Sequence, residues 1–262
     1  MKSTYIGHLY QTDQGVFCVD PTDQFVAQTL IESGEYGRGQ LEQLKLFCNS
    51  GSSVLLLGAH LGAIAVPLSK LVRNMTIFEA NPDTFRLLDA NLKLNGCTNV
   101  EAFNFAANNE NTALQFVLNT VNSGGSKRMP VHRDEVYFED APRVVDVPAV
   151  RLDDFLLGKS YDVIFMDIEG SEYFAMKGMP RLVAHASVIF SEFLPHHLTQ
   201  VGGITIDDYI ECFEGFNTLI VPSSTSVFHF ENIKDVLRDM FESNHGDEGL
   251  IFIREKVDIS FK

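Results

Sequence analysis

Short runs that are apolar throughout alternate along this chain with glycine turns and helix-patterned segments, and that alternation admits few folds. Val54 to Leu57 stops at Gly58 and is followed by helix-like apolar spacing from Ile64 to Leu71. The plan then repeats. Met75 to Phe78 reads as a strand, Asn81 and Pro82 supply an N-cap and a first-turn proline, and Phe85, Leu88 and Leu92 form one stripe up to Asn95-Gly96. Val100 to Phe105, Asp162 to Met166, Ala186 to Phe190, Thr218 to Val221 and Leu250 to Arg254 read as further strands, with Thr112 to Leu118 as an outer one. Strands buried on both faces and joined by helices pack as a parallel sheet covered on each side, because right-handed crossovers place the helices there. The expectation is a doubly wound α/β domain whose late strands close the sheet with an antiparallel edge.

No internal repeat is present, so domain limits follow from breaks in this alternation. Residues 1–49 carry two helix-like stretches, Gln24 to Ser33 and Gly39 to Asn49, and read as a helical extension capping a domain over 50–262. Residues 119–150 hold Ser123-Gly124-Gly125-Ser126, three prolines and many charges. That is too long for a simple connection, so a loop or small insertion over the sheet edge is expected. A polar helix, Ile233 to Ser243, marks a second insertion at about 230–245.

Charge narrows the range of partners. Lys and Arg number 20 against 35 Asp and Glu, for a net charge of -15. A polyanionic backbone or an anionic membrane surface would meet repulsion, so nucleic acid and membrane are set aside. The four cysteines, Cys18, Cys48, Cys97 and Cys212, form no CxxC pair and suit a reducing compartment. No window reaches the 18 or so apolar residues that span a bilayer, and the first ten residues do not read as a secretory signal. The expectation is a cytoplasmic protein, with homo-oligomerisation left open.

The chemistry starts at Gly58-Ala59-His60-Leu61-Gly62, between the first strand and its helix. Ligands of open α/β sheets sit at the carboxyl ends of the strands, where strand order reverses, and glycines there let a ligand approach the backbone. The loop matches neither GxGxxG nor the phosphate-cradling Gly-Lys-Ser/Thr pattern, and no Lys or Arg lies between Val54 and Ser69. A nucleoside without a polyphosphate fits it best, with a plain packing turn as the alternative. Glu79, 21 residues after Gly58 at the end of the second strand, has the spacing of a ribose-binding acid. A carboxylate there accepts from two vicinal hydroxyls and repels a 2′-phosphate. A solvated surface glutamate is its bland alternative.

The runs Leu57-Gly-Ala-His-Leu-Gly62, Phe78-Glu-Ala-Asn-Pro82, Val150-Arg-Leu-Asp-Asp-Phe155 and Phe165-Met-Asp-Ile-Glu-Gly-Ser-Glu172 resemble, in order and spacing, the motifs of the FkbM-type S-adenosylmethionine-dependent methyltransferases. The similarity runs from about Tyr36 to Phe193, with Leu250 to Arg254 also similar. It implies a Rossmann-like class I methyltransferase fold, a mostly parallel seven-stranded sheet with an antiparallel edge strand and helices on both faces. The implied reaction is metal-independent O-methylation of a hydroxyl on a sugar, polyketide-like or other small metabolite.

The resemblance also implies roles. Gly58, Ala59, His60 and Gly62 would line S-adenosyl-L-methionine, Glu79 would hold the ribose hydroxyls with Asn81 close by, and Asn104 and Ala106 would flank the adenine. Asp167 would face the methionine ammonium or the sulfonium, and Glu169 and Glu172 follow on the same turn, where either also serves as a helix cap. Candidates for the base are Glu169, Glu192 and the pair His196 and His197. The family carries an acid at Leu56 and an Asn at His60, so one polar contact near the methionine end needs a substitute, for which Glu35 and Tyr36 are candidates. Asn122 to Ser126, with Lys127, Arg128, His132 and Arg133, reads as a solvated loop, or as a lid that recognises an anionic acceptor. Three rivals stand beside this reading: a methyltransferase-like binding or scaffold protein without activity, an N-methyltransferase, and a nicotinamide-dependent oxidoreductase, which the missing GxGxxG disfavours.

Overall fold

In the computed structural model, which describes residues 5–138 and 141–255, the chain opens with a hairpin, β1 (His8–Gln11) and β2 (Val16–Val19), before the expected helices α1 (Val26–Ser33) and α2 (Arg38–Phe47). The extension is therefore not purely helical. Strands of four residues carry too little alternation to be seen in the sequence. Then come β3 (Ser53–Leu57), α3 (Ala65–Ser69), β4 (Asn74–Phe78), α4 (Pro82–Leu94) and β5 (Val100–Phe103), as the repeated plan requires. Asn81 caps α4, its side chain accepting from the backbone N–H of Asp83 and Thr84, and Pro82 occupies the first turn.

Next are β6 (Ala106–Asn108), β7 (Thr112–Leu118), β8 (Lys127–Arg128), β9 (Arg143–Arg151) and α5 (Leu152–Phe155), followed by β10 (Val163–Met166), α6 (Glu172–Gly178), α7 (Pro180–His185) and β11 (Val188–Phe193). A π-helical turn, His197–Gly202, leads to α8 (Ile206–Glu211), β12 (Thr218–Val221), β13 (Ser226–His229), α9 (Phe230–Glu242) and β14 (Asp247–Ile253).

The main sheet has the order β13-β12-β14-β11-β10-β3-β4-β5. β3 pairs in parallel with both β4 and β10, so the reversal of chain order falls at β3/β10 and opens a crevice at their carboxyl ends. The expected seven strands gain an eighth, β13, because Thr225, in a left-handed conformation, turns the chain straight back after β12. The late reversed strand β14 lies between β11 and β12, antiparallel to both, and the antiparallel edge is β13.

Residues 119–150 depart further from expectation. Thr112–Leu118 does not join the main sheet; it is central to a second one of order β6-β9-β7-β8, to which the supposed loop contributes β8 and most of β9. Much of β9 is solvent-facing and β8 is two residues long, so neither shows as an apolar run.

Strand alternation sorts the core into two layers. Leu55, Leu57, Ile164, Met166, Ile189, Leu250 and Phe252 point toward α5 to α9. Their neighbours Val54, Leu56, Val163, Phe165, Phe190 and Ile251 point toward α1 to α4. Phe17, Val19, Leu30 and Leu44 of the extension lie in that second layer, so the cap shares the domain's core. Asn91, fully buried on α4, fastens it: its amide oxygen accepts from the Cys18 N–H at 2.6 Å, and its nitrogen donates to the carbonyls of Cys18 and Leu61. Among the described residues no helix is long and apolar enough to cross a membrane.

Candidate active site

The crevice at the β3/β10 switch point holds about 1180 Å³ of space free of protein atoms, its open mouth included. Its floor is the glycine loop. Gly58 has φ 84°, its N–H donates to Phe78 O at 2.9 Å, and a Cβ built on it would lie 1.8 Å from the carbonyl oxygen of Asp167. The loop thus rests backbone on backbone against the end of β10, which only glycine permits. Gly58→Ala is expected to combine left-handed strain with this clash, lowering unfolding free energy by about 3 kcal/mol. Urea denaturation checks this, and an unchanged midpoint would contradict it.

Glu79 ends β4 with its carboxylate buried against the loop. Oε2 accepts from the His60 N–H and Oε1 from the Asn81 N–H, each at 2.8 Å, and the side chain still borders the cleft. Burial pushes it up to about 7, while the N–H groups of Asn81, His60 and Ala80 pull the other way. Asn104 and Asn81 act one layer back. The Asn104 amide donates to the carbonyls of Glu79 and Ala80, and that of Asn81 donates to Ser126 Oγ. Neither borders the cleft, whereas Ala106 does, beside Phe105 and Ala107.

His60 is tied into the cover. Its Nε2 lies 2.7 Å from Ser123 Oγ, and that hydroxyl donates to Asp23 Oδ2 of the N-terminal extension. Burial holds His60 down at about 4, with the Asp23 charge opposing. Leu56 borders the cleft as an apolar wall. Of the two proposed substitutes from the cap, Tyr36 reaches the cleft, its hydroxyl pushed up to about 12 by burial, whereas Glu35 pairs with Arg38 at 3.1 Å and stays outside. Gly62 does not line the cleft either; its φ of 95° packs it onto Leu88.

Acids gather at the other end. Asp167 and Glu169 border the cleft. Burial pushes Asp167 up to about 8, the charges of Glu169 and Glu172 add to this, and a hydrogen bond from Gln40 opposes it. Glu172, held at about 7 mainly by burial, accepts from the Ile168 N–H at 2.9 Å and braces the turn. Glu169 itself has φ 55°, so the chain swings its carboxylate toward Lys127, whose Nζ donates to Oε2 at 2.9 Å. Behind them lie Glu192, driven well above the usual carboxylate range by burial and by Glu169, and His197, driven down to about 2 by burial and Lys127.

Of the histidine pair, His196 is exposed, and the π-helical turn holds His197 inward. Glu169, Glu192 and His197 present ligand-type atoms within 4.8 Å of one another. A metal ion there would meet the Lys127 ammonium beside Glu169.

Sequence reasoning missed the contribution of β8. Lys127 and Arg128 are not on a solvated loop: Lys127 is buried, and the Arg128 guanidinium lies 3.5 Å above the Phe174 ring while its side chain borders the cleft. Burial lowers Arg128 to about 10, with Glu172 opposing. Their adjacency to Ser123-Gly124-Gly125-Ser126 was the available signal.

A model of the methyltransferase FkbM domain matches residues 57–240. No curated protein matches the chain. Among solved structures, methyltransferase FkbM from Methylobacillus flagellatus KT is 16% identical, covering 84% of this chain and 47% of that one, with a TM-score of 0.48. An rRNA methylase from Streptococcus thermophilus is 8% identical, covering 83% and 95%, with a TM-score of 0.46. The strand order and the family match together define a Rossmann-like class I methyltransferase fold. The family model covers well over half of the sequence, from the glycine loop to α9, and the chain belongs to the FkbM methyltransferase family.

Proposed function

We propose that the protein O-methylates a hydroxyl of a small metabolite, sugar or polyketide-like acceptor without a metal ion, Glu169 accepting the acceptor's proton. S-adenosylmethionine is the family's cofactor, and when bound it supplies an electrophilic methyl group on a sulfonium.

The residues present suit that cofactor. Gly58 leaves backbone where a Cβ would intrude, and each Glu79 oxygen bonds one backbone N–H and keeps lone pairs for a ribose hydroxyl. Ala106 and Phe105 offer an apolar wall to the adenine, and Asp167 offers a carboxyl to a cation. The protein's contribution is chiefly alignment, which is worth roughly 7 to 11 kcal/mol in well-oriented reactions.

The observation that carries the reading is that one cleft contains both the Gly58–Glu79 pair and the Asp167–Glu169 pair. The ion pair of Lys127 with Glu169 favours a hydroxyl over an amine, since a protonated amine would be a second cation there. Free thiols at Cys18, Cys48, Cys97 and Cys212 support a reducing, cytoplasmic setting.

The test is transfer of labelled methyl from S-adenosylmethionine to panels of hydroxylated and amine-bearing small molecules. Label on hydroxyls supports the reading, and label confined to amines would replace it with N-methylation. Once an acceptor is found, Glu169→Gln is expected to lower kcat by about 100-fold, within the span of general-base contributions, with little change in cofactor Kd. Equal losses in both would move Glu169 to the cofactor's side.

A further inference from the structure

Four ionisable side chains meet in the interior behind the acidic end of the cleft, where Glu169 borders it and the other three do not, and one of them fixes the hydrogen-bond polarity of the rest. Lys127 comes from β8, Glu169 from the end of β10, Glu192 from β11 and His197 from the π-helical turn that follows. The Lys127 ammonium is donor-only; it donates to Glu169 Oε2 at 2.9 Å and faces His197 Nε2 at 3.4 Å. A ring nitrogen facing an ammonium presents its lone pair, so the proton of a neutral imidazole sits on the other nitrogen, Nδ1.

That Nδ1 is buried without a hydrogen-bond partner among the described residues, 3.6 Å from Glu169 Oε2 and 3.9 Å from Glu192 Oε2. The Glu192 oxygen is likewise buried and unpartnered. These separations are too long for direct hydrogen bonds, so an N–H donor and two carboxyl groups converge with unused capacity. The rings of Tyr137 beneath Lys127 and of His196 against His197 enclose the group.

We infer that Lys127 and His197 are positioning residues of the acceptor half of the site: Lys127 fixes His197 as its Nδ1–H tautomer and donates to Glu169 Oε2, so that the Glu169 carboxylate, which borders the cleft, is held between the ammonium and the ring N–H and aimed at the acceptor's hydroxyl. The inference rests on the methyltransferase reading above. The hydroxyl proton passes to a Glu169 oxygen, the electrons of the O–H bond stay on the acceptor oxygen, and Glu169 becomes a neutral acid.

The test is a long-range proton–nitrogen correlation spectrum of the protein with ¹⁵N-labelled histidine at pH 7.5, His197 being assigned by the loss of its signals in His197→Gln. The expected result is a neutral Nδ1–H ring in the wild-type chain, a shift of the proton population toward Nε2 in Lys127→Met, and the wild-type pattern restored in Lys127→Arg. A wild-type His197 carrying its proton on Nε2 would overturn the inference, as would the same tautomer in wild type and a folded Lys127→Met. Should Lys127→Met not fold, the wild-type spectrum alone still decides. Titration of the wild-type chain with S-adenosylhomocysteine separates the two levels: absence of binding overturns the methyltransferase reading, whereas the wrong tautomer in a chain that binds overturns only this inference.

Discussion

Glu79→Ala is expected to raise the dissociation constant for S-adenosylhomocysteine by at least about 100-fold, measured by calorimetry at pH 7.5. Two losses add. In the proposed ribose role the carboxylate makes two charge-assisted bonds, roughly 1.5 to 3 kcal/mol each. The N–H groups of His60 and Asn81, which now donate to Oε2 and Oε1, lose their acceptor, so the glycine loop and the start of α4 loosen together. Glu79→Gln keeps one acceptor oxygen and turns an NH₂ donor toward the other N–H, so its loss should fall between wild type and alanine. An unchanged dissociation constant in Glu79→Ala would contradict the ribose assignment.

The second large effect is on stability. Burial holds Glu79 and Glu172 at about 7, Asp167 at about 8 and Glu192 well above its ordinary value. Carboxyls in an unfolded chain titrate near 4. Between those values the folded chain holds protons that the unfolded chain has released, so stability falls as pH rises through the window. The histidines act the other way. Burial lowers His60 to about 4 and His197 to about 2, and it lowers His196 as well, so below about pH 6.5 the unfolded chain takes the extra proton and stability rises with pH.

The two sets offset each other below pH 6.5, and above it only the carboxyls remain. With each worth up to about 1.4 kcal/mol per pH unit, the loss between pH 6.5 and 8 should reach at least about 2 kcal/mol, a fall in Tm of roughly 4 to 8 °C. Thermal melts of the ligand-free protein across that range check it. A flat or rising Tm would mean that these acids are better solvated or better paired than their burial implies.

Much of the proposed cofactor half was legible because its residues are placed by position along a repeating plan. Gly58 follows an apolar run, Glu79 follows the next one at ribose spacing, and Asp167 ends a third, so sheet topology alone brings them to one crevice. The acceptor half was only partly legible. Glu169 follows an apolar strand and Glu192 lies near the end of one, so both were visible as acids, but Lys127 sits on a two-residue strand inside a segment rich in glycine and charge. No periodicity marks such a strand, and its burial comes from pairing with β7.

The histidine pair shows the same limit. Adjacent residues point in different directions, and the unusual winding of His197–Gly202, not composition, turns His197 inward and leaves His196 outside. The Asp23–Ser123–His60 chain could not be read at all, since it joins three segments up to 100 residues apart through side-chain contacts. His60, where the resemblance implies an Asn, instead contacts Ser123 Oγ through Nε2.

Everything functional depends on the crevice at β3 and β10 accepting an adenosyl group that bears no phosphate. Calorimetric titration of the wild-type chain with S-adenosylhomocysteine, with NAD as the control, tests this most directly. Saturable 1:1 binding of S-adenosylhomocysteine and none of NAD is expected. Heat from NAD alone, or no saturable heat from S-adenosylhomocysteine up to millimolar concentration, would contradict it.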